Sequence, residues 1–206
     1  MSKRISNIID LNIIYVLGYK NVGKTNFIKV FNDEEFDENS KSKLGITTNK
    51  YKISEKTYIF KDLTDDESFK FTKYYKKEIG QTFLLIILFS FNDYYSYQHA
   101  KFLIKFTLDA LINNNNNLPI FLIGNKNDIE NKAIEENEIK KYVETIDNCT
   151  YFSVSCKNKI GFEEIKENIK SIELNKTIIL ASYSISETED EEVMKDKNNG
   201  ASCNIF

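Results

Sequence analysis

The sequence predicts a three-layer α/β domain in which a mainly parallel sheet is covered by helices on both faces. Short apolar runs typical of buried strands alternate with segments whose apolar residues recur every three or four positions, as they do in helices. Repeated strand-then-helix order is the pattern of parallel sheets. The strand-like runs are 13–17, 58–60, 83–89, 120–123 and 151–154, and the helical segments are 26–31, 96–111, 135–146 and 162–174.

Composition is that of a single domain of ordinary size. The chain has 206 residues, of which 41% are hydrophobic, and this is enough for a sizeable core. A net charge of −3 is too mild to predict a nucleic-acid-binding surface. No apolar run has the length of a membrane span. Because Cys149, Cys156 and Cys203 lack disulfide or zinc spacing, we expect a reducing compartment and no disulfide partners.

The chain is expected to fold over residues 1–174 and to end in a disordered linker over residues 175–206. Helical periodicity fades from Asn175, and acidic residues outnumber lysines beyond it. An asparagine run, Asn113 to Asn117, separates a predicted helix from the next strand. We expect this run to be a solvated loop, since none of its side chains is suited to burial.

Residues 18–25 fit the pattern G-x-x-x-x-G-K-[ST] and lie between a strand-like run and a helical segment. In that context loop N–H groups and the helix N-terminus bind phosphate, Lys24 reaches the β and γ phosphates, and Thr25 offers a hydroxyl to Mg²⁺. The pattern predicts a nucleoside triphosphate; a turn that merely contains glycine is the alternative. The nucleotide-binding residues expected here are Gly18, Asn21, Val22, Gly23, Lys24, Thr25 and Asn26.

A base-binding motif, N-K-x-D, follows a predicted buried strand at residues 125–128. The Asp128 carboxylate can accept from N1–H and the exocyclic amine of guanine, donors that adenine does not present together, so we expect it to be buried under guanine. After the next strand, Ser155 and Cys156 supply backbone N–H groups for the guanine oxygen. The remaining base-binding residues predicted are Asn125, and Lys126 and Lys157, whose alkyl stems would cover the ring.

Together these motifs resemble the Ras superfamily of small GTPases, and Rab proteins in particular, from about Asn12 to Leu174. Segments 31–36, 44–46 and 74–76 are similar to Rab stretches after the first helix, at the end of switch I and after switch II. The resemblance implies a P-loop NTPase fold with a six-stranded sheet, GTP or GDP with Mg²⁺ as cofactors, and effectors and an exchange factor as partners. It also implies that Phe36 lies edge-on to guanine, although Phe36 as a core residue remains the alternative.

Switch II departs from the family pattern. Residues 62–67 read D-L-T-D-D-E where the family has D-T-A-G-Q-E. Asp62 retains the carboxylate that holds Mg²⁺ through water. Asp65 replaces the glycine that approaches the γ-phosphate, and Asp66 replaces the catalytic glutamine. Two like charges about 4 Å apart repel by about 4 kcal/mol at an effective dielectric near 20, so we expect this loop to be displaced and hydrolysis to be slow.

Switch I and the phosphate loop depart as well. The switch I threonine that binds Mg²⁺ falls on Lys43, with Ser42 and Thr47 as the nearest hydroxyls, and Lys20 occupies the position of a small residue near the γ-phosphate. One hypothesis pairs the new lysines with the new aspartates; another makes the lysines charge stabilisers supplied in cis. A third treats all of them as solvated loop residues of a weakly active enzyme.

The last four residues, Cys203 to Phe206, have the C-a-a-X form, and a terminal phenylalanine favours geranylgeranyl. We expect Cys203 to be lipidated and a prenyl-binding escort to help select the membrane, because the acidic linker offers no polybasic signal. We therefore expect a lipid-anchored protein on the cytoplasmic side of intracellular membranes, with a cytosolic pool.

Two functions are consistent with the sequence. The first is a Rab-like guanine-nucleotide-binding regulator of vesicle and membrane traffic, with Lys24 and the degenerate Asp66 in its catalytic set and impaired GTP hydrolysis. The second is a pseudo-GTPase that serves as a constitutive docking surface at a membrane. Nucleotide content and a single-turnover hydrolysis rate distinguish them.

Overall fold

A computed structural model of the chain describes residues 12–40, 45–53, 56–63, 82–111 and 117–174. The chain divides after Ile165 into a first unit, Met1–Ile165, and a second, Lys166–Phe206. Of the second unit the structure describes residues 166–174, which are helical and include a Lys170–Glu167 ion pair at 2.6 Å. The predicted linker at 175–206 lies outside the described residues, and its boundary stays a prediction.

One six-stranded sheet organises the described residues. Its strands are β1 (Asn12–Gly18), β2 (Ile46–Ile53), β3 (Lys56–Leu63), β4 (Thr82–Ser90), β5 (Ile120–Asn125) and β6 (Cys149–Ser153). They lie in the order β2-β3-β1-β4-β5-β6, and all neighbours are parallel except β2 and β3. The carboxyl ends of β1, β3, β4, β5 and β6 therefore meet at one edge, which is where open α/β sheets bind ligands.

Helices α1 (Lys24–Phe31), α2 (Tyr94–Leu111) and α3 (Glu136–Val143) cover both faces of this sheet. A further helix, α4, runs over residues 162–174 and includes the boundary between the two units. Tyr15 and Leu17 of β1 belong to a buried core with residues of α2 and α3. On the other face, Phe60 of β3 meets Phe31 of α1 with ring centroids 5.0 Å apart. Because side chains alternate along strands, this arrangement confirms the three-layer prediction.

Sequence periodicity missed β2 and misjudged the end of α3. In β2 only Ile53 is buried, and such a polar edge strand lacks the apolar run that identifies a central one. The periodicity of 135–146 predicts a helix that continues to Ile146, but α3 ends at Val143. Beyond Val143 the chain turns, with Thr145 N–H bonded to Tyr142 O at 3.1 Å, and Asn148 adopts φ 57°.

Candidate nucleotide-binding site

The loop between β1 and α1 begins and ends on glycines with left-handed φ. Gly18 has φ 145°, and a Cβ there would lie 2.4 Å from the backbone oxygen of Leu88 in β4. Gly23 has φ 94°, and a Cβ there would lie 2.5 Å from the Asn125 amide nitrogen. Both positions therefore require glycine, and the loop is held tightly against the ends of β4 and β5.

Lys24 begins α1 and extends back across the loop. Its side chain is almost buried, and Nζ donates to Gly18 O at 2.7 Å and Tyr19 O at 2.8 Å. No acidic side chain lies in the first turn of α1. The ammonium and the positive end of the helix dipole are thus concentrated beside the loop, an arrangement that binds anions such as phosphate.

Lys20 is exposed in this loop, and its ammonium lies over the ring of its neighbour Tyr19, 5.5 Å from the ring centroid. Lys43, Asp65 and Asp66 lie outside the described residues. The hypothesis that these lysines and aspartates pair with one another therefore stays a prediction.

Asn125, at the end of β5, joins the phosphate loop to the loop after β6. It is buried, its amide nitrogen donates to Val22 O at 2.8 Å, and its amide oxygen accepts from Cys156 N–H at 3.2 Å. Next to it, Lys126 Nζ donates to Asn21 O at 2.9 Å. One side chain thus fixes the relative position of three loops at the sheet edge.

Asp128 and Ser155 form a hydrogen-bonded pair. The buried Ser155 hydroxyl donates to Asp128 Oδ1 at 2.6 Å and accepts from Asn158 N–H at 3.0 Å. Asp128 is exposed in the chain by itself, so its burial under guanine stays a prediction. The reason for the exposure is geometric: Asp128 follows the strand in a surface turn, with its second oxygen available to a ligand.

A cavity of about 380 Å³ lies between these loops and the segment after α1. Phe36 is half-buried at its wall. The predicted residues that line the cavity are Asn21, Gly23, Asn26, Phe36, Asn125, Lys126, Asp128, Cys156 and Lys157. Glu38, Ser40 and Ile129 also line it and were not predicted. The volume and the mixture of an aromatic ring, lysine stems and the two carboxylates of Glu38 and Asp128 suit a purine base.

The sequence model of the Ras family matches residues 13–174, most of the chain. The chain belongs to the Ras family. The match begins in β1 and runs to the last described residue of α4, so it contains every site residue discussed above.

Two curated relatives are Rab-type members of this family. Ras-related protein Rab-34 of Rattus norvegicus is 30% identical over 152 residues, which are 69% of this chain and 56% of the rat protein. Ras-related protein RABG1 of Arabidopsis thaliana is 26% identical over 161 residues, which are 73% of this chain and 77% of that protein. This Ras-family chain is therefore Rab-like, and its match spans little more than half the length of the rat relative.

Ras-family GTPases bind GTP or GDP with Mg²⁺, and two oxygen donors in this chain fit that ion. The Thr25 hydroxyl donates to Asp62 Oδ2 at 2.7 Å, at the wall of a second cavity of about 340 Å³. Burial raises the pKa of Asp62, although the Thr25 hydrogen bond and the Lys24 charge oppose this. Hydroxyl and carboxylate oxygens are ligands suited to Mg²⁺.

Of the two hydroxyl residues nearest to the position of the switch I threonine, Ser42 and Thr47, Thr47 lies among the described residues. It lies in β2 opposite Asp62 of β3 and lines the same cavity as Thr25. Ser42 lies outside the described residues. The register of β2 on β3 therefore places one candidate hydroxyl, that of Thr47, beside the carboxylate.

Asn26 lies at the cavity wall, and its side-chain amide is engaged with the backbone of Asp37. The sequence analysis did not predict four residues at the segment after α1, namely Lys29, Glu35, Asp37 and Lys159. Each pairs with a residue of another element, Lys29 with Asp37 eight positions away and Glu35 with Lys159 at 124 positions, and no sequence motif identifies either pair.

The C-terminal Cys203 lies outside the described residues, so the lipidation site stays a prediction. Within the part of the chain that the structure describes, no helix combines the length and the apolar character needed to cross a bilayer.

Proposed function

We propose that the chain is a Rab-like guanine-nucleotide-binding regulator of intracellular membrane traffic whose GTP hydrolysis is slow. The observation that carries the proposal is the buried Asn125 side chain, which joins the phosphate loop to the base-binding loops through Val22 and Cys156. This link supports a site in which the start of α1 binds phosphate and the Asp128 carboxylate binds guanine.

Guanine selection rests on Asp128. Its carboxylate is oriented by the Ser155 hydroxyl at 2.6 Å and has acceptor capacity left for the N1–H and amine of guanine. A base that lacks those donors would cover the carboxylate without pairing it, which costs about 1–3 kcal/mol or more.

The experiment is competition binding of GTP, GDP, ATP and XTP to wild-type protein and to Asp128→Asn. We expect wild type to prefer guanine nucleotides by more than about tenfold over ATP, and Asp128→Asn to shift toward xanthine nucleotides. Asp109→Asn, an exposed aspartate on α2, is the matched control and should leave the preference unchanged. Equal affinity of wild type for GTP and ATP would contradict the proposal.

Magnesium would be held by the Thr25 hydroxyl and, through water, by Asp62, and when bound it neutralises phosphate charge. Lys24 contributes on the protein's side: its ammonium is already aligned by two carbonyl oxygens at 2.7 and 2.8 Å. Phosphate oxygens can therefore be bound with little further ordering of the lysine.

Slow hydrolysis is proposed from the sequence, because Asp66 cannot orient the attacking water as the glutamine does and Asp65 repels the γ-phosphate. Single-turnover hydrolysis of bound GTP with Mg²⁺ is the measurement. We expect a rate below that of intact Rab proteins and little gain in Asp66→Gln, since Lys20, Lys43 and Asp65 remain.

A hydrolysis rate equal to that of an intact Rab protein would contradict slow hydrolysis. Purified protein that retains little guanine nucleotide would instead favour the binding-module function, in which the chain is a constitutive docking surface. Both outcomes are read from one preparation, because nucleotide content is measured before hydrolysis begins.

Membrane association is proposed to depend on a prenyl group at Cys203, with a hydrophobic escort maintaining a cytosolic pool. Effectors and an exchange factor complete the set of partners that a Rab-like regulator requires. The Rab-type relatives support this role.

A further inference from the structure

Four of the five residues of the segment 33–37 that carries Phe36 are acidic. Three of them, Asp33, Glu35 and Asp37, each contact a different structural element. Asp33 accepts from the Tyr51 hydroxyl of β2 at 3.0 Å. Glu35 pairs with Lys159, in the loop after β6, at 2.7 Å. We call residues 33–37 the acidic segment.

Asp37 is held more firmly than the other two. Its carboxylate pairs with Lys29 of α1 at 2.9 Å. Its backbone is bonded twice by Asn26, whose Nδ2 donates to Asp37 O at 2.9 Å and whose Oδ1 accepts from Asp37 N–H at 3.1 Å. The hydrogen bond and charge of Lys29 hold the pKa of Asp37 below its ordinary value.

We infer that the acidic segment is a nucleotide-retention clasp, in which Asn26 and Lys29 position Phe36 at the base cavity by holding Asp37, and Lys159 assists through Glu35. The inference rests on the proposed guanine-nucleotide function and extends it to the control of nucleotide release. Asn26 and Lys29 are positioning residues here, since they act on the base through the segment.

The contacts differ in strength. Asn26 forms its two hydrogen bonds in a part-buried setting, whereas Lys159 and Glu35 are exposed. Exposed ion pairs contribute little and are screened by salt, while an unmade part-buried hydrogen bond is costly. Asn26 should therefore dominate retention, and the two ion pairs should make release sensitive to ionic strength.

The experiment measures release of a fluorescent GDP analogue from full-length protein into excess unlabelled GDP. We expect Asn26→Ala to release about tenfold faster than wild type, and Lys29→Met and Lys159→Met about two- to fivefold faster. Lys140→Met is the matched control, because Lys140 forms an exposed ion pair with Glu136 at 3.4 Å, away from the cavity. The exchanged pair Lys159→Glu with Glu35→Lys should restore slow release.

Salt provides an independent readout. Raising ionic strength should speed release from wild type but have little effect on a variant that lacks both Lys29 and Lys159. Release from Asn26→Ala and Lys29→Met at the rate of the Lys140→Met control would overturn the inference.

Hydrogen exchange separates failure of the clasp from failure of the proposed function. If wild type holds no guanine nucleotide, the function fails, and the clasp is then tested in nucleotide-free protein. The Asp37 amide should exchange faster in Asn26→Ala, and the Asn39 amide, which bonds to Asp37 Oδ1 at 3.0 Å, should follow. Unchanged exchange at both amides would overturn the clasp by itself.

Discussion

Gly18 occupies a position where the backbone conformation and the space beside it both exclude a side chain. Its φ of 145° is one that other residues rarely adopt, and the Leu88 carbonyl oxygen would lie only 2.4 Å from a Cβ. The carbonyl belongs to β4, every residue of which is buried, so it has little freedom to move.

Gly18→Ala should therefore lose more stability than backbone strain alone explains. Gly45 is the matched control: its φ is 85°, but among the described residues no atom lies within 4 Å of the place its Cβ would take. We expect about 1–2 kcal/mol lost in Gly45→Ala from the left-handed backbone, and about 1–3 kcal/mol more in Gly18→Ala from the clash. Urea unfolding measures both losses of stability. Equal losses would show that the Leu88 carbonyl of β4 moves aside to accommodate the new side chain.

Sequence motifs located most of the residues that line the cavity, but not Glu38, Ser40 or Ile129, because phosphate and guanine recognition need fixed residue types at short spacing. They did not locate Lys29, Asp37 or Lys159, whose roles come from contacts between elements. The distance from Glu35 to Lys159 in sequence is 124 positions, and no pattern within one segment reports such a pair. The N-K-x-D motif also does not report that Asp128 is exposed, because this exposure comes from the surface turn that follows β5.

At the scale of elements, strands with continuous apolar runs were predicted and the polar edge strand β2 was not. Burial on both sides gives a central strand such as β4 its nine apolar or small residues, whereas β2 has one buried side chain. β2 nevertheless bears on the site, since Thr47 lies opposite Asp62 and Tyr51 contacts Asp33.

The segments around the γ-phosphate should respond weakly to the third phosphate. The family's two γ-phosphate contacts come from a threonine and a glycine that Lys43 and Asp65 replace here. A ligand shifts an equilibrium only by its differential affinity for the two states. Hydrogen exchange over 40–48 and 62–72 should be similar with GDP and with a non-hydrolysable GTP analogue. Strong protection of both segments by the analogue alone would contradict this prediction. Exchange in β1 is the internal reference for the comparison.

At the scale of the whole molecule, the first unit contains the complete candidate site, and Cys203 lies far along the chain from it. Attachment to a membrane and binding of nucleotide should therefore be separable. Periodicity was sufficient to predict the parallel strands and the covering helices, because a buried parallel sheet leaves an apolar pattern, but not the antiparallel edge strand β2. The predicted domain boundary at residue 174 rests on weaker signals, the loss of helical periodicity and the excess of acidic residues beyond it.

Cys203→Ser should leave the protein off membranes while its unfolding free energy and nucleotide affinity stay unchanged. A buried prenyl chain contributes about 0.8 kcal/mol per CH₂, and the acidic residues that precede Cys203 in the sequence add no attraction to anionic lipid. Cell fractionation with a thermal-unfolding control measures this. Cys149→Ser is the comparison variant and should remain on membranes. Equal membrane retention of Cys203→Ser and wild type would assign the anchor to another segment.

The hydrogen bond from Asn125 to Val22 joins residues 103 positions apart, and this has a consequence for synthesis. The phosphate loop leaves the ribosome long before β5 and the loop after β6 exist. A nascent chain at that stage has half a binding site, so guanine nucleotide cannot stabilise it. Under the proposed function, nucleotide would be captured only when the last parallel strand has joined the sheet, and until then the early part of the chain must avoid aggregation without the ligand.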